Sequence, residues 1–346
     1  MEITKITRQL DSSPLETVLL EFDIPTGLAA GNHVEVVKAY DGTTLVDTKT
    51  RNFTIAAAPT SNYLIDTYTG SKLALSLRRQ SELFTGSVLT VRNDSNVELG
   101  IGLNGDVLDT AAILSHIGSG NGFVVDWFPQ DGGAKFTQSA ASNQPKIASA
   151  GAIILLNGKP AIDFDGVNDF LYQTSALSYF TFMHNGTKNF TAIVASTTKT
   201  ARGDLMGNIR AGSDKGIIIS LPVDNANKVK YYRGDAPGDF IISSNTATNA
   251  VTSGSQNVLI EHSDGANATA AERSYIKLNG TLSKNNISTA TPQTADPNKI
   301  LGIGTISGES SVLPFQGKIQ EINIWENDLL SEIDNIETDI NNYYVV

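Results

Sequence analysis

The side chains best suited to chemistry lie close together at positions 161–171, which read Ala-Ile-Asp-Phe-Asp-Gly-Val-Asn-Asp-Phe-Leu. Asp163, Asp165, Asn168 and Asp169 offer hard oxygen ligands, which suit a calcium ion or the hydroxyl groups of a sugar. Asp and Asn also make tight turns, because their side chains bond to nearby backbone groups. The stretch therefore predicts either an ordinary turn, which is the default interpretation, or a candidate glycan or ion site.

The residues around these side chains predict a strand, a turn and a second strand. Ile162 and Phe164 alternate with aspartates, which is the period of two expected for a strand with one buried face. The pair Asp165-Gly166 tolerates positive φ, and an apolar run begins at Phe170. We expect a corner at the rim of a β-sandwich.

Other chemistry finds less support in the sequence. Trp127 and Trp325 could stack on a sugar ring, although tryptophans at strand ends are more often core residues. The four histidines are scattered without the spacing of metal ligands, so no metal site is predicted from them: His33, His116, His184 and His262. The chain has no cysteine, which excludes thiol catalysis and zinc–thiolate sites. It also lacks the Gly-x-Ser-x-Gly motif of serine hydrolases and a phosphate-binding loop.

Composition narrows the class of protein further. Only 18% of the 346 residues are charged, and the net charge of −11 leaves no basic surface to meet nucleic acid. No apolar run approaches the ~20 residues that span a bilayer, and the first residues do not resemble a signal peptide. We expect a protein made in the cytoplasm that binds neither nucleic acid nor membrane, with no cofactor unless calcium occupies the corner.

Residues 1–58 predict a small β-module of about five strands. A hairpin is indicated at 34–46, where Asp41-Gly42 separates two apolar runs. Residues 56–62, Ala-Ala-Ala-Pro-Thr-Ser-Asn, are the best linker candidate. So short a module buries little apolar surface alone, so we expect it to serve attachment or oligomerisation.

Residues 59–120 predict a linker and a mixed, partly helical region that leads into the sandwich. Ser71 could cap a helix with Leu73 inward and Arg78 and Arg79 on a solvated face, the alternative for the two arginines being a recognition pair. Asp109 could cap a second helix that ends at Gly118. Positions 88–91 between them read as a strand.

Residues 121–346 predict an antiparallel sandwich or jelly roll, because short strand patterns alternate with turn sequences. The predicted strands are 123–127, 152–156, 160–164, 190–196, 216–221, 229–232, 258–261, 275–278 and 319–325. A short helix should follow, with Ser331 and Asp334 as a capping box and Ile333, Ile336 and Ile340 on its apolar face.

Several of these segments together resemble one known pattern. They are Leu-Ser-Leu-Arg at 75–78, Phe-Thr-Gly-Ser-Val at 84–88, Val-Arg at 91–92, Leu-Asp-Thr-Ala at 108–111, Gly-Asn-Gly-Phe-Val at 120–124, Gln138, Asn-Gln-Pro-Lys-Ile at 143–147, Asn-Gly-Lys-Pro-Ala at 157–161 and Phe-Asp-Gly-Val-Asn-Asp at 164–169. The pattern resembles the catalytic-domain family of arabinofuranosidase B and, more closely, relatives of that family in bacteriophage virion proteins. It covers about residues 72–344. The resemblance implies a mainly β fold, a concanavalin A-like (LamG-type) antiparallel β-sandwich, beside the small N-terminal β-module and the short C-terminal helix.

The catalytic residues of the resembled family have no counterparts here. A retaining glycosidase needs two carboxylates about 5 Å apart. The family's nucleophile is a glutamate beside cysteine-rich sequence, and segment 204–210, Asp-Leu-Met-Gly-Asn-Ile-Arg, contains neither residue. The family's acid/base aspartate follows a Gly-Ile-Gly-Gly run, and Ile306 takes its place. A third aspartate, in the family's Tyr-Asp-Gln-Ser-Gly, is replaced by Pro129, so the resemblance implies the fold without the enzyme.

The sequence therefore favours a non-enzymatic structural protein of a bacteriophage virion, as a head decoration, a fibre or a tail component. Its N-terminal module would bind other virion proteins and copies of itself, and its jelly roll could bind a cell-surface glycan. The alternative hypothesis is a lectin-like glycan-binding module or a diverged glycosidase.

Overall fold

The computed structural model describes residues 6–8, 16–18, 31–41, 44–55, 63–199, 201–209, 215–222, 228–236, 239–246, 250–284, 291–308 and 313–344. The chain forms two compact units, Met1–Ser61 and Asn62–Val346. Among the described helices, none is both long and apolar enough to cross a membrane.

The first unit contains two antiparallel hairpins. Strand β1 (Ile6–Arg8) pairs with β2 (Glu16–Val18), and β3 (Gly31–Asp41) pairs with β4 (Thr44–Ile55). Asp41 lies opposite Thr44, which confirms the predicted hairpin. The described residues of this unit hold four strands where about five were predicted, and the proposed linker at 56–62 lies outside the described residues.

The second unit consists mainly of strands. They are β5 (Ser71–Ser76), β6 (Leu89–Asn93), β7 (Glu98–Ile101), β8 (Leu103–Asn104), β9 (Val107–Leu108), β10 (Gly122–Trp127), β11 (Phe136–Thr137), β12 (Lys146–Ser149), β13 (Ala152–Ile153), β14 (Leu155–Leu156), β15 (Lys159–Pro160), β16 (Ile162–Asp165), β17 (Leu171–Gln173), β18 (Asn189–Thr197), β19 (Asp204–Gly207), β20 (Gly216–Ser220), β21 (Lys230–Ala236), β22 (Asp239–Asn245), β23 (Asn257–Ser263), β24 (Ser274–Leu278), β25 (Thr281–Ser283), β26 (Gly302–Ile303) and β27 (Gln316–Trp325). The helices are α1 (Leu64–Thr67), α2 (Thr110–Ile117) and α3 (Ile333–Tyr344), with 3₁₀ turns at Ala141–Asn143, Leu177–Met183, Ala270–Glu272 and Leu330–Glu332. Every one of the nine strands predicted between 123 and 325 overlaps an observed strand.

Strand β27, the longest described strand of the second unit, lies at the centre of one layer of the sandwich. It pairs with β18 on one side, and the layer continues through β23 and β24 to β25. On its other side β27 pairs with β16 and then with β5. The opposite layer runs through β22, β21, β20, β19, β26, β17, β11, β10, β6 and β7. All of these strand pairs are antiparallel, so the predicted mainly β sandwich is confirmed.

Two apolar clusters stabilise the sandwich from inside and from outside. The larger one fills the space between the layers and includes Trp127, Ile193 and Ile322. The smaller one lies on the outer face of β18 and β27, where Phe190 and Trp325 pack against Ile336 and Ile340 of helix α3. Helix α3 is therefore a cover for one face of the sheet, as the sequence predicted.

The helix predicted from Ser71 is wrong, because this segment is strand β5. Leu73, Leu75 and Leu77 alternate into the core between the layers, and β5 hydrogen-bonds along β27. The apolar residues of this segment alternate with a period of two, and this pattern outweighs the capping signal of Ser71. Residues 71–76 are therefore part of the sandwich and not a region that leads into it. The second predicted helix is confirmed: it is α2, where the Asp109 side chain accepts a hydrogen bond from the backbone N–H of Ala112 at 3.0 Å and Gly118 ends the helix.

The capping box predicted at the start of α3 is also wrong. Ser331 lies in a 3₁₀ turn before the helix, and its hydroxyl is 3.5 Å from a carboxylate oxygen of Glu332. Asp334 pairs instead with Lys277 of β24, as does Glu337. Both carboxylates thus tie the helix to the sheet beneath it.

Candidate functional site

The predicted corner exists, and its carboxylates are used to build the turn. The Asp165 oxygen Oδ1 accepts hydrogen bonds from the backbone N–H groups of Val167 at 2.8 Å, Asn168 at 3.2 Å and Asp169 at 3.4 Å. Asp169 returns the contact, since its Oδ2 accepts from the N–H of Asp165 at 3.0 Å. Gly166 has φ of +77°, and a Cβ there would lie 2.6 Å from the Gln316 side chain. The default interpretation of the stretch as a turn is confirmed.

Asn168 fixes the corner to the neighbouring 3₁₀ turn. Its Nδ2 donates to the backbone oxygen of Ser142 at 2.8 Å and to Oδ1 of Asn143 at 3.1 Å. The backbone oxygen of Asn143 in turn accepts from the N–H of Phe170 at 3.2 Å. The side chain that was predicted to bind a ligand therefore holds two loops together.

Asp163 lies in a row of charges across the sheet. Its partners in the strand register are Lys146 on β12 and Lys318 on β27. Burial raises the pKa of Asp163, and the two lysines oppose that rise. The two positive neighbours make this carboxylate a poor ligand for a cation.

Asp169 has the most perturbed carboxyl group of the corner. Its residue is only 6% exposed, and this burial raises the pKa of Asp169 to about 6. The N–H of Asp165 opposes the rise, whereas the negative charges of Asp165 and Asp163 add to it. Asp169 therefore changes its charge between mildly acidic and neutral pH.

The corner does not gather its acids into a metal-ligating group. Within the described residues, which include all three corner aspartates, no three His, Cys, Asp or Glu side chains are placed to hold a metal ion. Calcium at this corner stays a prediction. What the corner offers to solvent is the exposed Asp165 and the exposed tip at Val167.

The two tryptophans are core residues, so their assignment as sugar-stacking platforms is wrong. Trp127 and Trp325 are both 0% exposed. Trp127 lies in the core between the layers. Trp325 packs edge-on against Phe190 and donates from Nε1 to the backbone oxygen of Tyr68 at 2.7 Å.

Segment 204–210 and Ile306, which the family resemblance singles out, both contribute to one apolar cluster. Ile209 and Ile306 pack with Ile218 and Tyr232 in this cluster, and Leu313 lies against it. Strand β19, at the start of segment 204–210, pairs directly with β26, which lies just before Ile306 in the sequence. Arg210, the last residue of segment 204–210, lies outside the described residues. Ile306, which stands where the resemblance would put the acid/base aspartate, is thus packed among apolar side chains.

Segment 204–210 contains one acid, Asp204, and both of its carboxylate oxygens accept hydrogen bonds from neighbouring side chains. Arg202 donates to both of its oxygens, from Nε at 2.9 Å and from Nη2 at 3.1 Å. The Ser220 hydroxyl donates to Oδ1 at 2.6 Å. Burial raises the pKa of Asp204 and the arginine opposes it. This carboxylate is 0% exposed and has no open side for a substrate.

Sequence reasoning missed the most extensive polar network of the described residues, which centres on Glu321 of β27. Arg78 donates to it in bidentate fashion, from Nε at 2.9 Å and from Nη2 at 3.2 Å. Ser76, Gln80 and Asn323 also donate to its two oxygens at 2.8–2.9 Å. Both Glu321 and Arg78 are buried, so the solvated face predicted for Arg78 is wrong.

The aromatic side chains at the end of α3 pack against the arginine of this network. The Arg78 guanidinium lies 5.1 Å from the ring centroid of Tyr343 and 5.5 Å from that of Tyr344. Arg79, by contrast, pairs with Asp106 at 3.0 Å near the surface. A charged residue between the apolar Ile319 and Ile322 of a buried strand was the sequence signal for Glu321, but nothing in the sequence pointed to its partner.

Comparison with known proteins establishes the fold. No protein-family model matches the sequence, and no curated protein matches it. A GH54 α-L-arabinofuranosidase soaked with a cyclic sulfate inhibitor aligns at 15% identity and TM-score 0.50, over 80% of this chain and 63% of that chain. A GH54 variant soaked with 4-nitrophenyl α-L-arabinofuranoside gives 15%, 0.49 and the same coverage. The CBM40 module of the Ruminococcus gnavus IT-sialidase gives 18% and 0.39, over 52% of this chain and 95% of that module.

At 15% identity, the likeness to the structure with a TM-score of 0.50 shows a shared fold and nothing about catalytic or binding residues. The chain spans about 63% of the length of the arabinofuranosidase structures that it matches. Catalysis and binding must therefore be argued from the chain's own side chains.

The corner makes stability depend on pH in a direction that its geometry fixes. Because the pKa of Asp169 is raised in the folded protein, its contribution to stability is fully present below about pH 4 and is lost as pH rises through about 6. We expect Asp169→Asn, whose amide oxygen can still accept from Asp165, to match the wild type near pH 4. At pH 7–8 it should be more stable by roughly 1–2 kcal/mol, a value reduced for solvent screening at the rim. Chemical unfolding from pH 4 to 8 measures this difference.

Asp94→Asn is the matched control. Its pKa is lowered, chiefly by the backbone N–H of Asn121, so its contribution is lost as pH falls rather than as it rises. The two variants should therefore differ from the wild type with opposite pH slopes. An Asp169→Asn difference that is flat with pH, or has the same sign of slope as Asp94→Asn, would contradict the assignment.

Proposed function

We propose that this chain is a non-enzymatic structural protein of a bacteriophage virion, whose β-sandwich is displayed outward and binds carbohydrate without cleaving it. The apolar cluster around Ile209 and Ile306 supports the part of this proposal that says the chain is not an enzyme. Acid/base and nucleophilic catalysis at a glycosidic bond both require carboxylates, and an isoleucine can do neither task.

Among the described residues, neither Asp204 nor the corner aspartates give a substitute pair. Asp204 is held by Arg202 and Ser220, and its strand carries no second acid. At the corner, Asp165 and Asp169 accept from the backbone of one another's turn rather than facing each other across an open cleft. These carboxylates act as structural acceptors.

The corner supports the carbohydrate-binding half of the proposal. Asp165 is exposed, and its Oδ1 accepts from the backbone N–H groups of the turn. No donor to its Oδ2 is found among the described residues, so this oxygen is open to a ligand. Val167 at the tip is 69% exposed and offers an apolar surface beside these acceptors. A neutral sugar presents hydroxyl donors and an apolar ring face. A carboxylate acceptor beside an apolar side chain therefore suits a neutral glycan.

The virion setting rests on the sequence motifs at 75–169, which resemble phage virion relatives, and on the division of the chain into two units. We assign attachment to the first unit, through other virion proteins and copies of the same chain. Its β3–β4 hairpin of 11 and 12 residues is a long two-stranded ribbon, and such ribbons are marginal without further partners. The glycan-binding unit would then face the host surface.

Purified protein should not hydrolyse 4-nitrophenyl α-L-arabinofuranoside or other common glycosides, because the only acid of segment 204–210 is the fully buried Asp204 and Ile306 stands where the resembled family has its acid/base aspartate. Release of nitrophenol measures turnover, with a GH54 arabinofuranosidase as positive control. The same protein should be retained on a panel of neutral glycans, which separates binding from cleavage. Turnover that disappeared in Asp204→Asn would contradict the proposal and favour a diverged glycosidase, whereas neither binding nor turnover would reject its carbohydrate half.

Removal of residues 1–58 should leave a folded sandwich that no longer oligomerises or joins particles. The three apolar clusters lie entirely between Leu64 and Tyr344, so the second unit keeps its own core. Circular dichroism tests folding, and sedimentation and particle co-purification test assembly. A shortened chain that is folded and still oligomerises or still joins particles would show that attachment does not run through the first unit.

A further inference from the structure

One end of the sandwich interior is lined by polar side chains instead of hydrocarbon. On strand β18 these are Asn189 and Thr191, on β23 Glu261 and Ser263, and on β24 Ser274. All five are at most 1% exposed. They lie side by side in the strand register, since Asn189 is opposite Ser263, Thr191 is opposite Glu261, and Ser263 is opposite Ser274. We call this set the polar chamber.

The alternation of the strands shows that the chamber faces inward. Ile193, Leu259 and Ile276 belong to the core between the layers. Residues two positions apart share a face of a strand, so Thr191 and Glu261 point into the same space. Phe190 and Ile260, one position away, belong instead to the outer cluster under α3.

Arg233 approaches the chamber from the opposite layer. It lies on β21 two residues from Tyr231, which is part of the core between the layers, and it is 1% exposed. Its guanidinium presses against the turn that follows β23, because a Cβ on Gly265 would lie 2.0 Å from its Nη1. The positive charge opposes the rise in the pKa of Glu261, but burial, the larger effect, raises that pKa well above its ordinary value and favours the neutral carboxyl.

Three of the chamber's side chains have polar atoms with no hydrogen-bond partner among the described residues. These atoms are Oδ1 of Asn189, Oγ1 of Thr191 and both carboxyl oxygens of Glu261. The orientation of Asn189 is fixed, because its Nδ2 donates to the backbone oxygens of Phe182 at 3.2 Å and Thr187 at 3.0 Å. Buried polar groups are almost always paired in folded proteins, so three neighbours that face one space indicate a shared partner.

We propose that the polar chamber is an internal binding site for a hydroxylic guest, either ordered water or a small polyol, held by Asn189, Thr191 and Glu261. A hydroxyl group can donate to the amide oxygen of Asn189 and accept, through its two lone pairs, from a neutral carboxyl and from Thr191, so one oxygen can reach all three side chains. A cation is disfavoured by the charge of Arg233. An anion would meet the carboxyl group and an amide oxygen, and an apolar guest would leave every one of these atoms unpaired.

A crystal structure of the whole chain, grown without polyols and again after a glycerol soak, tests the site directly. We expect oxygen atoms within hydrogen-bond distance of Thr191, Glu261 and Asn189. The site is assigned to water if water occupies it in both crystals, or if glycerol replaces the water only at soaking concentration. It is assigned to polyols if glycerol also displaces the water at low concentration. A chamber closed by a direct contact between Glu261 and Arg233, or an empty chamber, would overturn the proposal.

Substitutions provide a second test in solution. Thr191→Val removes one hydroxyl without changing shape, and a bound guest would lose a hydrogen bond, so the Tm should fall by about 2 °C or more. In a dry chamber the same change removes an unpaired polar group, and the Tm should stay or rise. Thr90→Val, on strand β6 at a half-buried position, controls for the β-propensity of valine. Glu261→Gln should leave the Tm nearly unchanged, whereas a large loss would show that an ionised Glu261 is needed and would reject the neutral site.

Discussion

The buried ion pair between Arg78 and Glu321 is the contact on which the rest of the sandwich depends. It joins the segment after β5 to the centre of β27, the strand that also pairs with β16 and β18. Removing either partner would leave a charge in the interior, a cost of about 3–5 kcal/mol in comparable pairs. The aromatic end of α3 packs on the guanidinium, so sheet and helix are positioned by one pair.

The same use of charge recurs at several other acids among the described residues. Asp204 is tied to Arg202, Glu337 to Lys277, and the corner aspartates to backbone N–H groups. A carboxylate that is saturated by donors can hold strands together, but it has no free lone pair for acid/base work.

The sequence predicted the strands well, because alternation and turn residues are local signals. It failed at β5, where a capping serine seemed to outweigh the alternation of Leu73, Leu75 and Leu77, and only pairing with β27 decides between the two. At Trp127 and Trp325 it favoured core residues, which the structure confirms, but it left the sugar-stacking alternative open because both roles have the same local pattern. The Arg78–Glu321 pair could not be predicted, because its two residues are 243 positions apart and meet only in the folded sheet.

The central claim, that buried charge here stabilises structure, is tested most directly by a double-mutant cycle on Arg78→Met and Glu321→Gln. Chemical unfolding at neutral pH measures the free energy of unfolding of the wild type, both single variants and the double variant. We expect each single change to cost several kcal/mol, and the double change to cost less than their sum by about 2 kcal/mol or more. Costs that add to within about 0.5 kcal/mol would contradict the account, since uncoupled residues cannot position the sheet and the helix together.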